Sequence, residues 1–178
     1  MRASDVESWR YMLTVKTHLA EQSYWRSRMK RKAKLRTYRI IKRDLELEPY
    51  LEMKDLKSRR TLSLLRSGSN FLRIESGRWT GQDIEERKCS WCDAVEDEAH
   101  FTLDCDLFVT PRESCLGSLV VPVFSGRTEK LAWFLGGFAR TPRDKGQALA
   151  VMSEFFLCSR RIWGKYKDLE QDWLRAEG

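Results

Sequence analysis

The residues with the clearest chemistry are Cys89, Cys92, His100 and Cys105, which read as C-x2-C-x7-H-x4-C. Two cysteines two apart can wrap a tetrahedral cation through a tight turn, and a following His and Cys can close the shell. Three thiolates and an imidazole suit Zn(II), a borderline-soft ion without redox chemistry. Four protein ligands leave no open position for water, so the ion would stabilise folding rather than do chemistry. His100 and Cys105 are five apart, about 140° round a continuous α-helix. The spacing therefore predicts a short helix over Asp97–Leu103 that ends before Cys105. The competing reading is ordinary reduced thiols and a surface His.

The elements that must position these ligands can be read outward from them. Residues 5–45 contain no Pro or Gly and read as one long helix or two abutting ones. Ser4 suits an N-cap, with Glu7 completing a capping box. Trp9, Met12, Leu13, the Lys16 stem and Leu19 follow one helical face. His18 has no partner at i+4 and is expected to be solvated or packed rather than a ligand. Arg26, Arg28, Lys30, Arg31, Lys32, Lys34, Arg36, Arg39, Lys42 and Arg43 then form a cationic run with no acid among them. Such a surface attracts phosphates through counterion release. A solvated helix face is the alternative, but like charges without acidic relief repel one another and favour a partner. The run also fits a nuclear-import signal. Tyr38 and Trp25 are expected to be packing anchors.

Pro49 suits the first position of a new helix. Tyr50, Leu51, Met53, Leu56, Leu62, Leu64 and Leu65 predict one or two short helices, stopped by Ser67-Gly68-Ser69-Asn70. Leu72 and Ile74 alternate with polar residues, so Phe71–Glu75 is expected to be extended or coil. Trp91 is expected either to stack on a nucleobase or to pack over the metal site or against Phe101 and Phe108. Asp93, Glu96, Asp97 and Glu98 suit the start of a short helix through its dipole, and they make that side of the knuckle a poor phosphate surface. Thr110-Pro111-Arg112-Glu113 and Thr141-Pro142-Arg143-Asp144 both read as helix starts with Thr as N-cap. The first is expected to stop near Gly117, and Leu119–Phe124 to form a short buried run. Thr128–Leu135 reads as a helix stopped by Gly136-Gly137. Leu149, Met152, Phe155, Phe156, Ile162, Trp163, Tyr166, Leu169, Trp173 and Leu174 give the longest clean helical periodicity, expected to pack on the N-terminal helix.

Several short runs carry a resemblance. Lys34-Leu35-Arg36-Thr37-Tyr38-Arg39, Glu48-Pro49-Tyr50-Leu51, Arg59-Arg60 and Leu65-Arg66 precede Leu72-Arg73-Ile74-Glu75-Ser76-Gly77-Arg78-Trp79. Then come the CxxC knuckle and Val95-Glu96-Asp97-Glu98-Ala99-His100-Phe101 running to Cys105. Over roughly residues 33–112 this resembles the C-terminal zinc-knuckle segment of reverse-transcriptase-like proteins of animal non-LTR (LINE-type) retrotransposons. That family often has Pro after the last Cys, where this chain has Asp106. The resemblance implies a C-terminal piece that helps hold an RNA template or target DNA, without polymerase and endonuclease parts.

The chain has 178 residues, a net charge of +7, 42% hydrophobic and 33% charged residues, and seven Trp. These values fit one compact unit and point to an anionic partner. Five cysteines, with Cys115 and Cys158 lacking any spacing signal, point to a reduced compartment rather than a disulfide framework. The N-terminus shows no secretory signal, and no apolar run is long enough to span a bilayer. There is no Asp-Asp pair for a two-metal polymerase site, no phosphate-binding loop and no nucleophile with an identifiable base. The expectation is a mainly α, non-enzymatic protein with long N- and C-terminal helices packed around a CCHC zinc knuckle. It divides into a basic helical arm at 1–48, short helices and linker at 49–88, the knuckle at 89–112 and a helical region at 113–178. The expected role is binding RNA or DNA without sequence preference, in the nucleus or otherwise the cytoplasm, with no membrane partner. The alternative is a zinc-stabilised module that binds a protein partner.

Overall fold

Helix-forming residues punctuated by Pro, Gly and capping acids produce a mainly helical chain, seen in a computed structural model that describes residues 3–137 and 142–176. No strand forms among the described residues. A single antiparallel bridge joins Lys88 and Val95. Helix α1 spans Ala3–Lys30 and α2 spans Arg36–Ile41, with a 3-10 turn at Ala33–Leu35 between them. The break at 31–32 divides the cationic run, so it does not lie on one helical face. Ser4 lies inside α1, which already begins at Ala3, and is not its cap.

Pro49 opens a 3-10 turn over Pro49–Glu52 as the first-position rule predicts. Helix α3 (Leu56–Arg66) is capped by Asp55, whose carboxylate accepts from Lys57 N at 3.2 Å and Ser58 N at 2.8 Å. Gly68, at φ +68°, reverses the chain after α3 while the Lys34 carbonyl sits where a Cβ would lie, 2.4 Å away. Only glycine fits both conditions. Of the segment expected to be extended or coil, Leu72 is extended at ψ 152°, but Arg73 already begins α4 (Arg73–Trp79). The alternation misleads because Ile74 and Glu75, adjacent on this short helix, are both buried.

The turn after Phe108 starts two residues earlier than Thr110 predicts: Phe108 is the N-cap of α5 (Val109–Pro111), which runs into a π-turn at Arg112–Leu116 and stops at Gly117. Leu119 is buried and Val121 and Phe124 pack half-buried against the core, but Val120 and Val123 are 95% and 101% exposed, so the expected buried run is interrupted rather than continuous. Pro122 denies this segment a donor and no strand is available to cover it. Helix α6 (Arg127–Phe134) ends at Gly136, φ +78°, with Gly136 N donating to Trp133 O and Gly137 N to Ala132 O. Gly137 also lies against Ile41, where a Cβ would sit 2.8 Å from the Ile41 Cα, so α2 approaches the end of α6 closely.

Helix α7 (Pro142–Ala176) buries Ala148, Leu149, Met152, Phe155 and Phe156. It packs on α3, the Pro49–Glu52 turn, α6 and the Arg112–Leu116 turn. The expected packing against the N-terminal helix is not what forms its core contacts: Trp9, Met12, Leu13 and Leu19 remain exposed on α1. Thr141, expected to cap α7, and the side chains of Tyr166, Leu169, Trp173 and Leu174 lie outside the described residues. Phe101 is the hub of the core. Its ring meets Phe108 at 4.9 Å, Phe155 at 5.1 Å, Phe71 at 5.7 Å and Phe156 at 5.7 Å. Among the described residues no helix is long and apolar enough to cross a membrane.

Candidate metal centre and cationic surface

The Lys88–Val95 bridge forms the stem of a tight turn. Within it Cys89 N donates to Ala94 O at 2.7 Å and Asp93 N donates to Cys89 O at 3.1 Å. Asp93 takes φ 54°, the left-handed conformation that short polar side chains tolerate best after glycine. This turn brings Cys89 and Cys92 to one side. Arg73 fastens it from α4 by donating to Ser90 Oγ at 2.6 Å.

The second half of the site is a helical turn whose start is set by Asp97, which accepts from His100 N at 2.7 Å. As predicted, it ends before Cys105, but it does so as a π-turn over His100–Asp104. Cys105 N donates to His100 O at 2.8 Å, an i→i+5 bond. The wider turn answers the angular problem of the five-residue spacing, because His100 and Cys105 become neighbours across one ring. Arg112 then fixes the exit, donating to Thr102 O at 3.0 Å and Cys105 O at 2.7 Å.

The ligand atoms of Cys89, Cys92, His100 and Cys105 lie within 4.8 Å of one another, and all but Cys92 are buried. Cys105 Sγ is 3.8 Å from Cys89 Sγ and 3.7 Å from Cys92 Sγ. A tetrahedron with metal–sulfur bonds of about 2.3 Å has edges of about 3.8 Å, whereas a disulfide needs about 2.05 Å. His100 Nε2 is buried without a hydrogen-bond partner, an imidazole nitrogen left for a cation. The donor set, the sulfur spacing and the orphaned nitrogen fit a metal ion. The hydrogen bond from Cys105, aided by His100 and the Trp91 and Cys92 amides, lowers the pKa of the Cys89 thiol. The same bond and burial hold Cys105 above its ordinary range.

Comparison with known proteins finds no matching family model, curated protein or solved structure. The likeness to the LINE-type segment rests on the motif residues quoted above.

Those motif residues have structural work that sequence reasoning missed. Glu98 is buried and accepts from Arg36, from Thr37 Oγ1 at 3.0 Å and from Asn70 Nδ2 at 2.8 Å. It thus ties the ligand-bearing turn to α2 and to the loop after α3. Glu96 is buried too, accepting from Arg73 N at 2.8 Å and from the Trp163 side chain, and burial raises its pKa. Glu75 pairs with Lys34 at 3.8 Å and Arg78 at 2.7 Å. Glu48 binds Lys42 at 3.1 Å and the buried Arg66 at 2.5 Å. Glu96 and Glu98 therefore point inward, and they do not form the phosphate-repelling surface expected of them.

The cationic run divides accordingly. Lys34, Arg36 and Lys42 turn toward buried acids and hold the fold together. Arg26, Arg28, Lys30, Arg31, Lys32, Arg39 and Arg43 are exposed. Arg26 donates to Arg43 O at 3.0 Å and Arg39 to Lys30 O at 3.1 Å, which folds the end of α1 onto α2. Arg28 lies over the Tyr24 ring at 5.7 Å. Between α1 and the α2 region opens a cleft of about 300 Å³ lined by Arg26, Met29, Lys30, Arg39, Lys42 and Arg43. Trp91 is 55% exposed, while Phe101 and Phe108 pack on each other. Trp91 is thus partly exposed at the knuckle, outside the buried core. Trp25 and Tyr38 are half-buried anchors, and His18 is solvent-exposed beside Gln22. Cys115 is buried beside Cys158, and burial raises its thiol pKa.

Proposed function

We propose that this chain is a zinc-stabilised module that binds RNA or DNA through phosphate contacts, similar in role to the C-terminal segment of a LINE-type reverse transcriptase. The observation that carries this reading is the cleft where α1 meets α2. Five cationic side chains line it and the exposed Lys30–Lys32 turn borders it. Convergent cations on two elements track a polyanion better than charges spread round one helix, because each neutralised phosphate releases condensed counterions. Zn(II) bound by Cys89, Cys92, His100 and Cys105 supplies no reaction step. It holds the knuckle on the core that α2 also grips through Arg36 and Glu98. Trp91, exposed beside the knuckle, offers a stacking face for an unpaired base. The reading is non-enzymatic, with a nuclear place of action following from the partner and the basic run.

The test is binding of single-stranded RNA and duplex DNA across a salt series, with zinc content measured on the same samples. Lys42 being held by Glu48, the four exposed cations of the cleft, Arg26, Lys30, Arg39 and Arg43, predict a slope of log Kobs on log salt of about −3.6 on duplex DNA and about −2.8 on a single strand. Joint substitution of Lys30→Glu, Arg31→Glu and Lys32→Glu should reduce affinity at least about tenfold while zinc content stays at one ion per chain. Unchanged affinity in that variant, with zinc retained, would refute the reading.

A further inference from the structure

Helix α1 leaves two large apolar side chains, Trp9 and Leu13, exposed on one face that small and long-stemmed residues continue toward its middle. Trp9, Leu13, Lys16, Ala20 and Ser23 recur at alternating spacings of four and three, so they share one face of the helix. Trp9 and Leu13 are 56% and 53% exposed, and Met12, Leu19 and Tyr24 flank them, also exposed. The helix touches α2 and the Ala33–Leu35 turn only near its C-terminal end. There the buried Met29 and half-buried Trp25 face the body. At 100° per residue those positions lie about 160–200° round the helix from Trp9. The stripe therefore points away from the body, and another helix can lie along it without displacing any contact of the fold.

We infer that this face binds a second copy of the same chain, with the two α1 helices antiparallel about a two-fold axis near Lys16. Three features select this occupant and this direction. First, the seam is self-complementary in size: pairing residues whose numbers sum to about 32 sets Trp9 against Ser23 and Leu13 against Ala20, large on small. Secondly, the charges match only in this direction. Arg10 and Glu21 lie on the same flank of the stripe, six and five residues from Lys16 on either side. Antiparallel pairing brings each Arg10 beside the partner's Glu21, twice per dimer. In a parallel pair they are separated by about 16 Å along the axis. Thirdly, isologous contact closes on itself, which is how a single exposed stripe is satisfied without forming filaments. Lys16 meets its own copy at the axis. Its long stem can cover apolar surface while its charge reaches water, but the like charges weaken the pair.

The arrangement places residue 30 of one copy about 42 Å along the axis from residue 30 of the other. The two cationic clefts then sit at opposite ends of the helical pair.

The experiment is sedimentation equilibrium on the nuclease-treated, zinc-loaded full chain. The expected result is a monomer–dimer equilibrium. Leu13→Glu should weaken it at least about tenfold through an unpaired charge in the seam. Arg10→Glu and Glu21→Arg should each weaken it about fivefold, and the double swap should restore it to within about twofold. Lys16→Leu should tighten it. All these positions are exposed on α1, so unchanged zinc content reports that the body is folded and unchanged helicity by circular dichroism reports that α1 is. A monomer at every concentration up to about 200 μM, or a dimer unaffected by Leu13→Glu, overturns the inference. A dimer in which the double swap behaves like the single swaps overturns the antiparallel arrangement.

Discussion

The cysteine knuckle and helix α1 use similar numbers of residues in opposite ways. Contacts beyond the four ligands brace the knuckle: Arg73 on Ser90, Asp97 on the His100 amide, Arg112 on the Cys105 carbonyl and Phe101 in the aromatic core. Helix α1 is anchored near one end and presents Trp9, Leu13 and Leu19 to solvent. The first region is specified by long-range partners within the chain. The second has the sequence of a helix but lacks tertiary burial over most of its length, and in water helical propensity alone stabilises little. Stability should therefore be concentrated around the knuckle, and binding along α1 and its junction with α2.

The sharpest way to break this contrast is to remove the metal ion proposed for the knuckle. Chelation, or Cys105→Ser, should abolish cooperative unfolding of the body, because three buried polar ligands would face one another without a cation. Calorimetry before and after zinc removal measures this, and an unaltered transition would place the knuckle outside the core. Next in size is Glu98→Ala, which leaves Arg36, Thr37 and Asn70 without their acceptor and should cost about 3–5 kcal/mol in denaturant titrations.

A smaller effect is expected at the start of α3. Hydrogen bonds from Ser58 and the Lys57 amide lower the pKa of Asp55. Its folded value is therefore below its unfolded value. The stabilisation is fully present above about pH 4 and is lost as pH falls through the folded value. Asp55→Asn keeps a capping oxygen but removes the charge, so its melting temperature should converge with that of the parent chain in acid. Smallest of all, Trp9→Ala should change the stability of the monomeric body by no more than about 0.5 kcal/mol. A large loss there would erase the contrast between the two regions.

The ligands were legible because metal coordination imposes spacing on neighbouring residues, and C-x2-C-x7-H-x4-C is wholly local. Gly136-Gly137 and Pro49 were legible for the same reason. The buried acids were not. Glu48 meets Arg66 18 positions away, and Glu98 meets Arg36 62 positions away, and no local pattern reports such partners. Asp55 escaped notice although an acid three residues before Ser58 is a capping signal. The preceding leucines drew the helix start toward Pro49. Phe71–Glu75 looked extended or coil because a short helix that buries the adjacent Ile74 and Glu75 loses its 3.6-residue polarity and can imitate a period of two.

The π-turn at His100–Asp104 makes the count of residues in the site unforgiving. An ordinary α-turn over the same five positions would leave the Cys105 sulfur far round the cylinder from the imidazole. Deleting or inserting one residue between them would swing that sulfur by about 100°, with every side chain chemically intact. Length variation is thus barred from this short interval and has to fall elsewhere, at exposed positions such as Pro122 and Val123.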